Sequence, residues 1–166
     1  GGNGALDLAA ATLHNGAAGV IVAGSALGLA IRQGLENAGG SISSGGALRF
    51  DQAGATFANS GRIGAGGAID IRAAGIDNGG GQLYTAAGSG TAITLATGAL
   101  RNTGGKVAAD GRLDIGASGA VYNDAGTLHG GRGLALGAGQ ALVNGSGTVE
   151  AASGALEVQA ASIDSS

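Results

Sequence analysis

The chain has 166 residues, enough for one domain, but its composition is unusual: 38 residues are glycine, none is proline or cysteine, and only 11% are charged. A net charge of −3 with eight basic residues provides no basic stripe for a phosphate backbone, which argues against nucleic acid as a partner. The lack of cysteine excludes disulfides and thiolate metal sites, and no apolar run reaches the roughly 18 residues of a transmembrane segment.

One repeat unit runs through the chain. It has the form L-x-N-x-x-G-x-[IVL], followed by G-x-[LI]-x-[LIFV], and it recurs about every 21 residues. A fixed period separates this chain from disordered glycine-rich sequences, in which the apolar residues occupy no regular positions. The asparagine of the unit occurs at seven positions: Asn15, Asn37, Asn59, Asn78, Asn102, Asn123 and Asn144.

In chain order, each unit predicts three short β-strands. The first strand carries apolar residues at i and i+2, which point to one face; the second carries one beside the asparagine, and the third follows the next turn. Stacking the units gives four apolar columns that we predict to face the core: Leu6, Leu27, Leu48, Ile69, Ile93, Leu113, Leu134 and Leu156; Leu8, Leu29, Phe50, Ile71, Leu95, Ile115, Leu136 and Val158; Leu13, Leu35, Phe57, Ile76, Leu100, Val121, Leu142 and Ile163; and Val20, Ile42, Ile63, Leu83, Val107, Leu128 and Val149.

These columns predict an all-β fold over residues 1–166: a parallel β-helix, or three-sided β-solenoid, of about seven to eight coils with about 21 residues per coil. Each strand is expected to pair with its equivalent one coil away, at about 4.8 Å. Frequent glycine and the lack of a 3.6-residue apolar stripe exclude helix. No single coil is stable alone, so stability is expected to grow by nearest-neighbour stacking.

The asparagine column has two interpretations. Asparagine tolerates left-handed backbone and is a good turn former, which alone would explain its place at the end of a strand. Stacked asparagines can also donate their side-chain amides to one another in a ladder. We expect a structural ladder through all seven.

The first unit departs from the pattern, because Val20-Ile21-Val22 replaces a polar stretch. We predict that Ile21, Val22 and Ile31 are exposed there and are candidate contacts for a partner. Exposed apolar side chains that cluster are typical of interaction sites.

The fourth unit is the longest, and its extra length falls in Tyr84–Thr91. Insertions in a solenoid become loops, which are often where partners bind. The candidate binding residues of this insertion loop are Tyr84, Thr85, Ser89 and Thr91. The alternative is a neutral variation in length at a corner.

The polar residues form no catalytic constellation. The carboxylates are scattered over different coils without an aromatic platform for a sugar, so the chain is not expected to be an enzyme. His14 and His129 lie too far apart along the axis to share a metal ion, and neither a metal nor another cofactor is predicted.

The outward positions of the first strand are mostly polar, as on a solvated face. Arg49 and Asp70 are expected to be neighbours one coil apart, and so are Asp77 and Arg101 on the adjacent face. Such exposed ion pairs are each worth about 0 to 1 kcal/mol. We expect them to affect register more than stability.

The units Leu35–Ile42 and Leu100–Val107, each followed by G-x-L-x-[FI], resemble the filamentous haemagglutinin repeats of large exoproteins in Gram-negative two-partner secretion systems. The resemblance covers essentially all of residues 4–164. It implies a right-handed β-helix, export through the outer-membrane pore of the partner protein, and display as a secreted filament on the bacterial cell surface. It carries over no catalytic residue.

Two hypotheses of function follow. In the first, the chain is a structural or adhesive shaft that mediates cell contact, in an adhesin or as the stalk of a contact-dependent growth-inhibition toxin. In the second, it is a binding module whose surface loops contact a receptor or a glycan. Regular coils favour the shaft.

The sequence begins in mid-pattern, so we expect a segment of a longer chain whose uncovered end coils allow end-to-end self-association.

Overall fold

The computed structural model describes residues 3–166, so the first two residues of the predicted segment lie outside the described residues. Within that range the chain forms strands and turns and contains no helix. The strands are β1 (Leu6–His14), β2 (Val20–Ala23), β3 (Leu27–Asn37), β4 (Ser41–Ser44), β5 (Leu48–Asn59), β6 (Arg62–Ala65), β7 (Ile69–Asp77), β8 (Gln82–Thr85), β9 (Ile93–Thr97), β10 (Leu100–Arg101), β11 (Lys106–Ala109), β12 (Arg112–Ala117), β13 (Val121–Tyr122), β14 (Thr127–Gly130), β15 (Gly133–Val143), β16 (Thr148–Ala151) and β17 (Leu156–Asp164).

Parallel pairing between successive coils builds two sheets. One has ten strands and the other seven, the latter in the order β16-β14-β11-β8-β6-β4-β2. The ten-stranded sheet forms the first side of each coil, with the paired apolar residues, and the second side, which leads to the asparagine. The seven-stranded sheet forms the third side. The predicted all-β parallel solenoid is confirmed, with about 8 turns and about 21 residues per turn.

The first two sides are less separate than predicted. In most coils one strand covers both and bends between them; in β5 and β7, for example, the register shifts between Gln52 and Thr56. A bulge bends a strand without ending it, which is why a short corner here leaves the strand continuous. Among the described coils, from residue 3 to residue 166, only two divide the sides into separate strands, β9 with β10 and β12 with β13.

The four apolar columns form the core. The first three are buried from Leu27 to Leu142, and the third-side column is buried from Ile42 to Leu128. Where the two phenylalanines meet inside the third coil, the rings of Phe50 and Phe57 lie 5.2 Å apart at 74°, an edge-to-face contact. The columns lose their cover at the last coil, where Leu156 is 50% and Ile163 59% exposed.

Three predictions for side chains in and after the first unit were wrong, and one, the exposure of Val22, is confirmed. Ile21, predicted to be exposed, pairs with Ile42 and packs against the core, whereas Val20, predicted to be buried, is 68% exposed. The turn from Asn15 to Gly19 is one residue longer than the turns of most other coils, and a shift of one residue exchanges the two faces of a strand. Ile31 is fully buried rather than exposed, because β3 continues the inward alternation of its coil.

Candidate functional site

The seven asparagines stand in one column where the second side ends. The Nδ2 of each donates to the Oδ1 of the next at 2.7 or 2.8 Å. The bond is equally short whether 19 or 24 residues separate the two asparagines. The stacking of the coils therefore fixes the distance between asparagines, and differences in the number of residues per coil are accommodated outside the ladder.

Four of the asparagines also tie their own turn to the next coil: Asn37, Asn78, Asn102 and Asn123. Asn102 shows the arrangement: its Nδ2 donates to the carbonyl oxygen of Gly105 at 3.2 Å and to that of Thr127 at 3.1 Å, besides Asn123 Oδ1. Two N–H groups are thus shared among three acceptors. Asn102 is 0% exposed, so the carbonyl groups at the junction of the second and third sides accept hydrogen bonds from its side chain where water cannot reach them.

The asparagine ladder explains the glycine of the repeated N-x-x-G motif. A Cβ atom on Gly105 would overlap the backbone oxygen of Asn78 and meet Asn102 Oδ1 at 2.7 Å. Equivalent overlaps occur at Gly126 and Gly147, each with the asparagine of the preceding coil. Only glycine allows successive turns to stack this closely.

The insertion lies between β8 and β9, at residues 86–92. Tyr84 and Thr85 belong to β8 and not to the loop, which corrects the predicted bounds. Thr85 is 6% exposed, its Oγ1 donates to the carbonyl oxygen of Thr91 at 3.3 Å, and it accepts the backbone N–H of Asp110 at 2.8 Å. This hydroxyl is therefore engaged within the protein.

The insertion loop is held by a carboxylate that sequence analysis did not single out. The backbone N–H groups of Gly88 and Gly90 donate to Asp110 Oδ1 and Oδ2 at 3.0 and 2.6 Å. The bonds from Gly90 and then Gly88 hold the pKa of Asp110 below its ordinary value, and the charge of Arg132 acts in the same direction. Asp110 lies one coil beyond the insertion, and the repeat gives no signal for it.

The remaining candidates of the insertion loop face outward. Ser89 is exposed, and its hydroxyl lies 2.8 Å from that of Thr91. Tyr84 projects from the third side and packs on Gly64, with the Arg62 guanidinium 5.8 Å from the centre of its ring. These groups form no enclosed cavity with Thr85, which points inward.

The predicted ion pairs between coils are replaced by other contacts. Arg49 Nη2 lies 2.8 Å from Asp51 Oδ2 in its own strand, rather than bonding Asp70. The Arg101 guanidinium lies 5.4 Å from the centre of the Tyr122 ring, while Asp77 Oδ1 accepts the backbone N–H of Gly79. A partner two residues along a strand, or an aromatic face, competes successfully with an exposed charge one coil away.

The two histidines lie on different coils, as expected, and each faces a glutamate one coil away. His14 Nδ1 is 2.8 Å from Glu36, and His129 Nδ1 is 3.5 Å from Glu150. No group of three or more metal-ligating side chains occurs among the residues that the structure describes. The surface hollows are shallow; one of about 440 Å³ is lined mainly by alanine, glycine, serine and threonine.

No helix within residues 3–166 is long and apolar enough to cross a membrane. A family model described as "Haemagglutinin repeat" matches three overlapping stretches, residues 2–56, 44–117 and 95–163. No curated protein and no solved structure is similar enough to count as a match. Taken with the repeated coil and its asparagine column, these matches across nearly the whole sequence show that the chain belongs to the haemagglutinin repeat family.

Proposed function

We propose that the chain is a structural, adhesin-like shaft within a secreted exoprotein of the two-partner type, displayed at the bacterial cell surface, where it mediates cell contact. The observation that carries the proposal is the continuity of the core and of the asparagine ladder from coil to coil. The same asparagine bond joins neighbouring coils from Asn15 to Asn144, and parallel strand pairing joins all the described coils, so the load along the axis is shared by strands of three sides. The family is in keeping with this role.

A shaft must keep a fixed length. Asp7 and Glu157 are exposed on the first and last coils, and a coil spacing of about 4.8 Å places them about 35 Å apart along the axis. A flexible chain of the same length would have a broad distribution of distances centred on about 65 Å. The two states are therefore distinguishable by one distance.

The chain has no cysteine, so a single labelled pair can be introduced without background. Spin labels on the double variant D7C/E157C, measured by pulsed electron resonance at low protein concentration, should give one narrow distance near 35 Å. The same pair in a variant with Ile71→Asp, which puts a carboxylate at a 2% exposed core position, serves as the broken control. A broad distribution in the chain without the core change would contradict a rigid shaft.

A second candidate is receptor binding through the third side, favoured by the Tyr84 and Arg62 pair on its outer face and by the exposed Ser89 in the loop that follows. Beads that carry the chain should then bind target cells, and the Tyr84→Ala variant should bind less. Thr85 is unsuitable for this test because it is buried. Ser25→Ala, on another corner, is a suitable control for surface changes in general.

Export through the outer-membrane pore of a partner protein is part of the same proposal. So is end-to-end stacking of the isolated chain, which is supported by the exposed Leu156 and Ile163 and by the edge strands β1 and β17. Stacked chains should appear in electron micrographs as rods whose lengths are multiples of one unit. Rods of a single length at high concentration would argue against stacking.

A further inference from the structure

The outer face of the first side carries two columns of outward side chains, one per coil in each, and Arg112 reaches over it from the adjacent position to pair with Asp114 and Glu157. Column one contains Asp7, Gly28, Arg49, Asp70, Thr94, Asp114, Ala135 and Glu157; column two contains Ala9, Ala30, Asp51, Arg72, Ala96, Gly116, Gly137 and Gln159. Half of the members are glycine, alanine or threonine, so the face is flat between its charged side chains.

Four charges at the third and fourth coils form a square, which we call the charged plate. Arg49 stands beside Asp70 of the next coil, and Asp51 stands beside Arg72. Arg49 and Asp51 lie 2.8 Å apart, with side chains 68% and 45% exposed. The signs therefore alternate both along the strands and across the coils, in a chain with only 11% charged residues.

We propose that this face docks a second copy of the chain, side by side and parallel, about a two-fold axis that runs along the solenoid. In that arrangement column one of each copy lies against column two of the other. Arg49 then faces Asp51 and Asp70 faces Arg72, twice each by symmetry. A self-complementary patch of this kind is what a two-fold interface requires.

The rest of the face is compatible with the same axis. Asp7 would lie opposite Ala9, Asp114 opposite Gly116, and Glu157 opposite Gln159, so no like charges meet. Eight coils at about 4.8 Å, with a width of about 13 Å, bury on the order of 1,000 Å² in total, near the lower limit for a specific dimer. The interface is therefore a weak one.

An antiparallel dimer about the centre of the charged plate would also match its four charges. It would, however, place Asp7 against Asp114 and leave the last two coils without cover. Like charges placed opposite each other oppose association. The parallel arrangement is the one that the whole face favours.

Two variants with the same composition separate these arrangements. R49D/D51R exchanges the charges within one coil, which keeps opposite signs facing each other in the parallel dimer. R49D/D70R exchanges them within one column, which makes like signs face each other there but preserves the antiparallel match. Each variant creates like-charge neighbours within the chain, so their effects on folding are comparable, and circular dichroism and thermal unfolding check this.

Analytical ultracentrifugation at about 0.02 M salt should show dimers of the natural chain and of R49D/D51R, with dimerisation weakened about 10-fold or more in R49D/D70R and also by about 0.5 M salt. Reversing all four charges should restore the dimer. D51R/R72D, the exchange in column two, replaces R49D/D70R if that variant does not fold. The proposal is overturned if the natural chain is monomeric, if the two variants behave in the opposite order, or if neither changes association, as in purely end-to-end stacking.

Discussion

The turn that follows the asparagine ladder and the corner at residues 86–92 join strands in different ways. In the turn, one side chain bonds to its equivalents above and below, and the bond recurs between all seven asparagines at 2.7 or 2.8 Å. In the insertion corner, Asp110 and Thr85 make bonds that occur once. The asparagine bond links one coil to the next along the ladder, whereas the bonds of Asp110 and Thr85 hold only the loop at residues 86–92.

This difference has an energetic consequence. Removing an asparagine from the middle of the ladder leaves partners in its own coil and in both neighbouring coils without their hydrogen bonds, and the buried position keeps water from replacing them. Removing Asp110 frees a loop that is exposed at residues 86–89, where water can replace the lost bonds. We therefore expect damage to the ladder to be global and damage to the insertion corner to be local.

The largest effect is expected for Asn102→Ala. The change removes the donor to Gly105, Thr127 and Asn123 and the acceptor for Asn78, all in a buried environment. Unsatisfied groups there should lower the free energy of unfolding by about 3 to 5 kcal/mol. Urea unfolding followed by far-ultraviolet circular dichroism measures this.

Asn144→Ala is the matched control for the ladder. Asn144 is the last member of the column and is only half-buried, and its side chain makes two bonds, from Asn123 and to Gly147, where Asn102 makes four. The expected loss is about 1 kcal/mol. Equal losses for the two variants would mean that the asparagines act as separate turn formers and that the ladder adds nothing.

The next largest effect is expected for Gly105→Ala. The new methyl group would overlap the backbone oxygen of Asn78, which cannot move without breaking the stacking of two coils. The loss should be about 2 to 4 kcal/mol, in the range for overpacked or strained sites. Gly104→Ala is the control: its site is open, but its φ of 62° is left-handed, so the loss should be about 1 kcal/mol. The opposite order would show that the backbone conformation of the turn matters more than its stacking.

The same comparison explains what the sequence allowed us to predict. The apolar columns and the stacking of the seven asparagines could be predicted because these residues recur at the same place in successive repeat units. That recurrence shows which residues lie above one another. Val20 was misplaced because its turn has one additional residue, and the side chains of a strand alternate. The role of Asp110 could not be predicted, because its bonds to Gly88 and Gly90 occur in one coil only and produce no repeated pattern in the sequence. Arg49 and Asp70 were correctly placed as neighbours, but which of several exposed partners an arginine bonds depends on side-chain geometry that adjacency does not determine.

A local effect is expected at the insertion corner when the pH is lowered. The pKa of Asp110 is depressed by the N–H groups of Gly90 and Gly88, so its stabilising contribution is present above the ordinary carboxylate pKa and is lost as the pH falls through the depressed value. Amide resonances of Gly88 and Gly90 should be constant from about pH 7 to about pH 4 and should shift below that. Asp110→Asn should remove this pH dependence. The amide of Gly80, which donates to a backbone carbonyl, is the internal reference; equal shifts there would mean global acid unfolding.

The smallest effect concerns the third position of the asparagine turn. Gly39, Gly80 and Gly104 occupy it with φ between 62° and 74°, but Ala125 and Ser146 adopt the same conformation with φ of 52° and 53°. A left-handed conformation costs a residue other than glycine about 1 kcal/mol. Ala125→Gly removes that strain while adding conformational freedom to the unfolded chain, which opposes part of the gain.

The net gain for Ala125→Gly should therefore be about 0.5 kcal/mol, which a shift of the urea midpoint at constant slope would show. Gly104→Ala makes the reverse change in the adjacent coil, so the two variants should differ in sign. If Ala125→Gly destabilises the protein, the turn does not impose its conformation on this residue, and the asparagine ladder alone aligns the coils. If Ala125→Gly raises the free energy of unfolding and Gly104→Ala lowers it, the asparagine ladder and the backbone conformation of the turn contribute separately to stability. The ladder then acts through the whole stack, and the turn acts within each coil.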